Sequence, residues 1–262
     1  MKRSFRVGFA TLFLASAALA QGDAGAGSVS ANGAADFSAR LDALWVTRDT
    51  PESIKQQNQA VTEGLAAWPV DYPLLWRCAR HKWYLADGQD SDHGAQKKAL
   101  GKDAWEYADR ALKAKPGGFE ANYYKALSIG AYSEAVGILT ALSQGLERQF
   151  VESLDLAMKV NEAYERAGPV RAKGRYYAQL PWPKRDREKA VELLNKAIKL
   201  SPEATRSYFY LAEVLLQAGK AKEAQVAMKK VFSLSPDFDP PEGRRILLWA
   251  KPVAEQIDAE LK

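Results

Sequence analysis

The chain has 262 residues, 47% of them hydrophobic, enough to bury a sizeable core in one domain or two small ones. Its formal charge of +5 shrinks to +2 once Lys2, Arg3 and Arg6 are set aside, leaving 34 basic against 32 acidic residues. Lys and Glu alternate along residues 184–199 and 220–230 with no single-sign patch, so the clustered cations that nucleic-acid binding requires are missing.

Residues 1–20 read as a secretory signal peptide. A cationic start precedes an apolar stretch at 7–15, and Ala18-Leu19-Ala20 forms a small-residue cleavage site. The stretch is shorter than the ~20 apolar residues of a membrane span. Gln21 stands where a lipoprotein would carry cysteine, so the expectation is a cleaved, exported, soluble chain, periplasmic or secreted. Residues 21–35 are Gly, Ala and Ser with hardly a bulky side chain, and read as a flexible linker. A single α-helical domain is expected over 36–262.

Thr50-Pro51-Glu52 supplies an N-cap, a proline at the first helical position and an acid in the first turn, so a helix is expected over 51–67. Asp71-Tyr72-Pro73 opens the next helix, with Leu75, Cys78, Ala79 and Lys82 at packing positions, where Lys82 fits poorly. A polar loop over 87–94 then precedes a partner helix at about 102–115. Residues 121–142 form a long small-and-apolar stretch with Tyr123, Tyr124 and Tyr132, followed by a second helix over about 146–166. Gly168-Pro169 opens a helix that Pro181-Trp182-Pro183 cuts short. The partner helix at 186–200 lines Ala190, Leu194, Ala197 and Ile198 along one face. Two regular helices follow around Gly219, placed to close the first of them. A last segment at 242–261, which Pro252 should kink or split, caps the array with Ile246, Leu247 and Trp249.

One phrase punctuates these elements: GLAAWP at 64–69, ALKAKP at 111–116, AMKVNE at 157–162, AIKLSP at 197–202 and VFSLSP at 231–236. Pro202 and Pro236 lie 34 residues apart, the period of a tetratricopeptide repeat. The earlier spacings are 47, 46 and 40. The loop at 87–94 should absorb most of the first excess, and longer helices the second. Tyr208, Leu211, Ala212, Leu215, Gly219, Ala224, Met228, Val231 and Pro236 satisfy the repeat pattern nearly throughout. The expected architecture is an all-α helical-hairpin solenoid with irregular, elongated central repeats and a C-terminal capping helix.

Chemistry offers little. Cys78 has no disulfide partner and reads as a small core residue. Only His81 and His93 exist, and the carboxylates near His93 miss a calcium loop: counted from Asp90, position six is Ala95 and position twelve Gly101. No G-x-S-x-G elbow, phosphate loop or H-E-x-x-H is present and no Cys/His pair matches a catalytic motif, so neither enzyme nor cofactor nor metal site is expected. The aromatics say more. Trp76, Arg80, Trp83, Arg175, Gln179 and Trp182 fall at first-helix positions facing a repeat groove, and with Tyr123, Tyr124, Tyr132 and Phe209 form the candidate ligand or partner groove. Aromatics at helical spacing also read as ordinary core.

NYYKALSIGAYSEAVGILTALSQG at 122–145, the broken GPVRAKGRYYAQLPWPKRD at 168–186 and the regular EKAVELLNKAIKLSP at 188–202 make the chain resemble the T-component of TRAP transporters, a periplasmic tetratricopeptide family. The resemblance implies a trimer, a pore or cleft open to a small organic ligand, and a partner solute-binding protein. Family members are associated with lipid anchors, from which Gln21 departs. The function expected is an accessory binding component of periplasmic solute uptake. The alternative is an envelope scaffold that holds a peptide or helix of another protein in its groove.

Overall fold

The computed structural model describes residues 31–262; the signal peptide expected at 1–20 and the first part of the expected linker, 21–30, lie outside them. Among the described residues every regular element is helical. α1 (Ala31–Trp45) and α2 (Pro51–Ala67) form the first hairpin. The expectation of linker to residue 35 is corrected for its last five residues: Ala31, Ala34 and Ala35 are strong helix formers and open α1. Thr50 caps α2 as expected, its Oγ1 accepting from the Ser53 amide at 3.2 Å.

α3 (Tyr72–Asp87) starts on Asp71, whose carboxylate accepts from the Leu74 amide at 2.8 Å. After a single 3-10 turn at Ser91–His93, α4 (Gly94–Ala114) begins eight residues before the expected position. The extra spacing here is therefore mostly helix and not loop: Ala95, Lys97, Lys98, Ala99 and Leu100 all favour helix, and neither Gly94 nor Gly101 interrupts it.

α5 (Phe119–Val136) ends at Gly137, whose φ of +89° no L-residue adopts comfortably. The expected continuous stretch to 142 is thus split, its remainder forming the short α6 (Ile138–Ser143). α7 (Leu146–Val160) stops six residues before the expected 166, at Asn161, and is followed by a turn at Glu165, Arg166 and Ala167 with φ of 47, 59 and 59°. α8 (Tyr164–Gln179) is right-handed only beyond that turn and ends ahead of Pro181, as expected. α9 (Arg187–Leu200), α10 (Thr205–Gln217) and α11 (Ala221–Ser233) follow the regular pattern, with Gly219 at φ +74° closing α10. α12 (Pro240–Glu260) runs through Pro252 without splitting, despite the donor that proline withholds from the ladder.

Consecutive helices pair as antiparallel hairpins: α3 with α4, α5 with α7, α8 with α9 and α10 with α11. Close approach depends on small residues. A Cβ on Gly174 of α8 would lie 2.9 Å from Leu194 Cγ of α9. The apolar core is a series of clusters and not one centre. Leu41, Val61, Leu74 and Cys78 join α1–α3, and Leu75, Trp76, Ala108, Tyr124 and Leu154 join α3–α7. Leu194, Phe209, Ala212, Leu215, Met228, Ile246 and Ile257 join α9–α12, where α12 covers the terminal face as a cap.

Polar side chains do what these clusters do not and tie the two ends of the array together. Arg48 donates to both carboxylate oxygens of Asp239 at 2.8 Å, with both side chains nearly inaccessible (5% and 7%). Arg244 does the same to Asp49, and Arg245 lies over the Tyr84 ring at 3.6 Å. The solenoid curls until its last helix meets its first hairpin.

Candidate functional site

The larger cleft lies where the repeat is least regular, between α3, α5, α6, α7, α8 and α10. Its volume is about 150 Å³, room for roughly ten waters. Leu127, Ile138, Leu142, Leu146 and Phe150 form an apolar side; Trp83, Tyr123, Tyr176 and Tyr210 add aromatic surface. Arg171, Arg175 and Arg206 bring three cations to it. A smaller cleft of about 40 Å³ lies across Trp83, Tyr123, Arg171 and Arg206, which line both, and extends to Trp45, Tyr84, Tyr124, Glu165 and Asp239.

The cations differ in what already neutralises them. Arg175 donates to Glu213 at 2.7 Å and lies 4.6 Å from the centre of the Tyr210 ring. Arg206 is fully committed to Asp87 and Glu242. Burial by itself would raise the Asp87 carboxyl, but the charges of Arg206 and Arg245 outweigh it and hold it at about 2. Arg171 is different. Among the described residues it makes no ion pair, and its guanidinium donates only to the carbonyls of Arg166 at 2.8 Å and Glu165 at 3.4 Å.

Those carbonyls belong to the left-handed turn. Three consecutive non-glycine residues at positive φ are costly, about 1–2 kcal/mol each, and such strain persists only where the surroundings impose it. Here Ala167 is fully buried, the Tyr124 hydroxyl donates to Glu165 at 3.2 Å, and Arg166 pairs with Asp239 at 2.9 Å. Gly168 follows because nothing larger fits: a Cβ there would collide with the Tyr123 hydroxyl.

The ten residues of the sequence-derived groove separate. Trp83, Tyr123, Arg175 and Gln179 line the larger cleft, and Tyr124 the smaller. Trp76 is buried and stacks on Tyr124 with centroids 6.0 Å apart. Arg80 is buried, bound to Asp42 at 2.7 Å and packed on Trp45. Tyr132 packs edge-on to Trp105, and Phe209 sits in the C-terminal core against Trp249. Trp182 is 87% exposed. Pro181 has already ended the helix, so Trp182 leaves the face that Arg175 and Gln179 share. Sequence reasoning missed Arg171, Arg206 and Tyr210. The signal was there: Arg171 precedes Arg175, and Arg206 precedes Tyr210, by the four residues that share a helix face.

Neither Cys78 nor either histidine lines a cleft. Cys78 is buried away from both clefts, and burial pushes its thiol up to about 12. His81 is buried against Asn58 Oδ1 at 3.0 Å, while His93 forms an exposed pair with Asp90. Among the described residues no three His, Cys, Asp or Glu side chains gather to hold a metal, and no helix is long and apolar enough to cross a membrane.

Known families account for most of the chain. The family described as regulator of microtubule dynamics protein 1-3 matches residues 47–186, more than half of it. The chain belongs to that family. A tetratricopeptide repeat family matches residues 184–247, the stretch where the 34-residue spacing is regular. TTC0263, a thermophilic TPR protein of Thermus thermophilus, is 21% identical, with 83% of this chain and 98% of that one aligned at a TM-score of 0.58. Yeast Tom70 aligns with 88% of this chain and 66% of its own at 14% identity and a TM-score of 0.33. A comparison with curated proteins finds no match. The fold is an all-α tetratricopeptide-type solenoid.

Proposed function

We propose that this chain is a non-catalytic binding protein whose larger cleft takes a small amphipathic organic anion. Arg171 is the observation that carries the reading. It is a cleft cation with no ion pair of its own among the described residues, in a lining it shares with Leu127, Ile138, Leu142, Leu146 and Phe150. A ligand with one anionic end and an apolar remainder satisfies both surfaces. The finer reading is an accessory component of periplasmic TRAP-type uptake that exchanges its ligand with a solute-binding protein. It rests on the signal peptide read at residues 1–20 and on the T-component resemblance. A role in microtubule dynamics, the activity in the family's name, fits poorly with such an export signal.

The test is a thermal-shift and calorimetric titration of the chain from Gln21 with straight-chain carboxylates of increasing length, each beside its uncharged amide. Acids should stabilise the protein and amides should not, and Arg171→Met should abolish the difference. No acid raising the melting temperature would sink the reading. A scaffold that holds a partner segment is the second reading, favoured by Leu139, 72% exposed on α6 beside the cleft residues Ile138 and Leu142. A photo-crosslinker at position 139 that captures an envelope protein, with no response to carboxylates, would decide for it.

A further inference from the structure

The left-handed turn at 165–167 and the larger cleft share one side chain. Arg171 lines both clefts and is at the same time the brace on the turn, donating to the carbonyls of residues 165 and 166. The other residues between the clefts are held firmly. Arg206 is tied to Asp87 and Glu242, and Tyr123 is buried and wedged over Gly168. Arg171 is held only by neutral acceptors. A carboxylate offers the guanidinium a full opposite charge and a bidentate fit that a carbonyl lacks, so an anion entering the cleft competes for Arg171 on favourable terms.

Losing that brace matters because the turn does not rest in a conformation its residues prefer. Glu165, Arg166 and Ala167 are all at positive φ, and Arg166 Nε is buried without a hydrogen-bond partner. The turn in turn holds the far end of the chain. Arg166 pairs with Asp239 at 2.9 Å and lies over the Phe238 ring at 4.9 Å, and the Asp239 carbonyl accepts from the Gly243 amide to start α12.

We propose that Arg171 is a ligand-operated latch: an anion bound in the larger cleft draws its guanidinium off the residue 165 and 166 carbonyls, which releases the left-handed turn and loosens its hold on the start of α12. This rests on the reading that the cleft takes an anion, but the latch itself is testable without any ligand. The bonds exchanged are hydrogen bonds alone, and the energy released by the strained turn offsets part of the loss. Binding in the cleft and the hold of the turn on the residues that start α12 thereby become coupled.

The test is hydrogen exchange by mass spectrometry on the full chain from Gln21, with and without octanoate. In the absence of octanoate, Arg171→Met should speed exchange at 165–168 and at Gly243, whose amide bonds the Asp239 carbonyl, by about tenfold or more while α4 stays protected. Unchanged exchange at 165–168 would overturn the latch whatever octanoate does. Ala167→Gly places glycine where positive φ is free of penalty, a relief larger than the loss of its one buried methyl, so it should raise the melting temperature and, combined with Arg171→Met, restore slow exchange. A lowered melting temperature in Ala167→Gly alone would overturn the strain on which the latch depends, and this readout survives even if Arg171→Met fails to fold. Octanoate bound by the wild type should reproduce the Arg171→Met pattern, and binding that leaves 165–168 unchanged removes the coupling. Failure of octanoate and other carboxylates to bind counts against the ligand reading, while the two variants still decide on the latch.

Discussion

Arg206 presents its two terminal nitrogens to the two oxygens of Asp87, at 3.0 and 2.8 Å, across 119 residues of chain. The same guanidinium also donates to Glu242 on α12, and Arg245 approaches Asp87 at 3.0 Å, so one buried cluster links α3, α10 and α12. These ties join parts of the solenoid that its apolar clusters leave separate.

Asp87→Asn should therefore cost far more than a surface ion pair. Removing the Asp87 charge leaves two buried guanidiniums, Arg206 and Arg245, with Glu242 as the one carboxylate of the cluster, a loss of about 3 kcal/mol or more. Removing the exposed Arg40–Glu63 pair, at 3.4 Å, should cost under about 1 kcal/mol. Urea denaturation of Asp87→Asn and Arg40→Ala measures both. Similar small losses in the two variants would mean that the cluster does not hold the ends together.

His81 makes stability depend on pH. Burial, and then the charges of Lys82 and Arg80, push its imidazole down to about 3 from 6.5. The folded state thus binds its proton less readily than the unfolded chain. The contribution is present above 6.5 and is lost as pH falls towards 3, at up to about 1.4 kcal/mol per pH unit. Unfolding free energies from pH 7.5 to 4 should slope accordingly in the wild type and be flatter in His81→Gln.

Gly174→Ala should destabilise the α8–α9 hairpin. The new methyl would sit 2.9 Å from Leu194 Cγ and 3.3 Å from the Ala190 carbonyl oxygen. Overpacking of this kind costs about 1–3 kcal/mol, several degrees of melting temperature in a chain of this size. A melting temperature equal to that of the wild type would mean that the two helices can part without penalty.

Cys78 should be inert in the native state. With its side chain wholly buried and its thiol raised, a thiol reagent at pH 8 should modify it only as fast as the protein unfolds, and titrate a single thiol in denaturant. Rapid native labelling would show that the α1–α3 core opens locally.

The fold was legible because its cues are local. Caps at Thr50 and Asp71, the stop at Pro181 and the small residues of α10 and α11 act within a few residues of themselves. Where the reading went astray, competition between weak local signals decided. Gly94 and Gly101 did not outweigh the helix formers between them, whereas Gly137 did interrupt a run that looked continuous. The site was half legible. Helical spacing put Arg175 and Gln179 on one face of α8, and both line the larger cleft with Trp83 of α3, but it also swept in Trp76, Arg80 and Phe209, which face the core. Periodicity identifies a shared face, not what that face meets.

By itself, the sequence determined the helices, their antiparallel pairing and the regular C-terminal repeat, because caps, prolines and 3.6-residue periodicity are short-range properties of the chain. Only the tertiary structure decided which cations are spoken for. Arg206 and Arg175 find carboxylates 119 and 38 residues away, Arg48 finds one 191 residues away, and Arg171 finds only the carbonyls of a strained turn. Charge pairing at such separations depends on how far the solenoid curls, and that curvature is the sum of many small packing angles that no local pattern encodes.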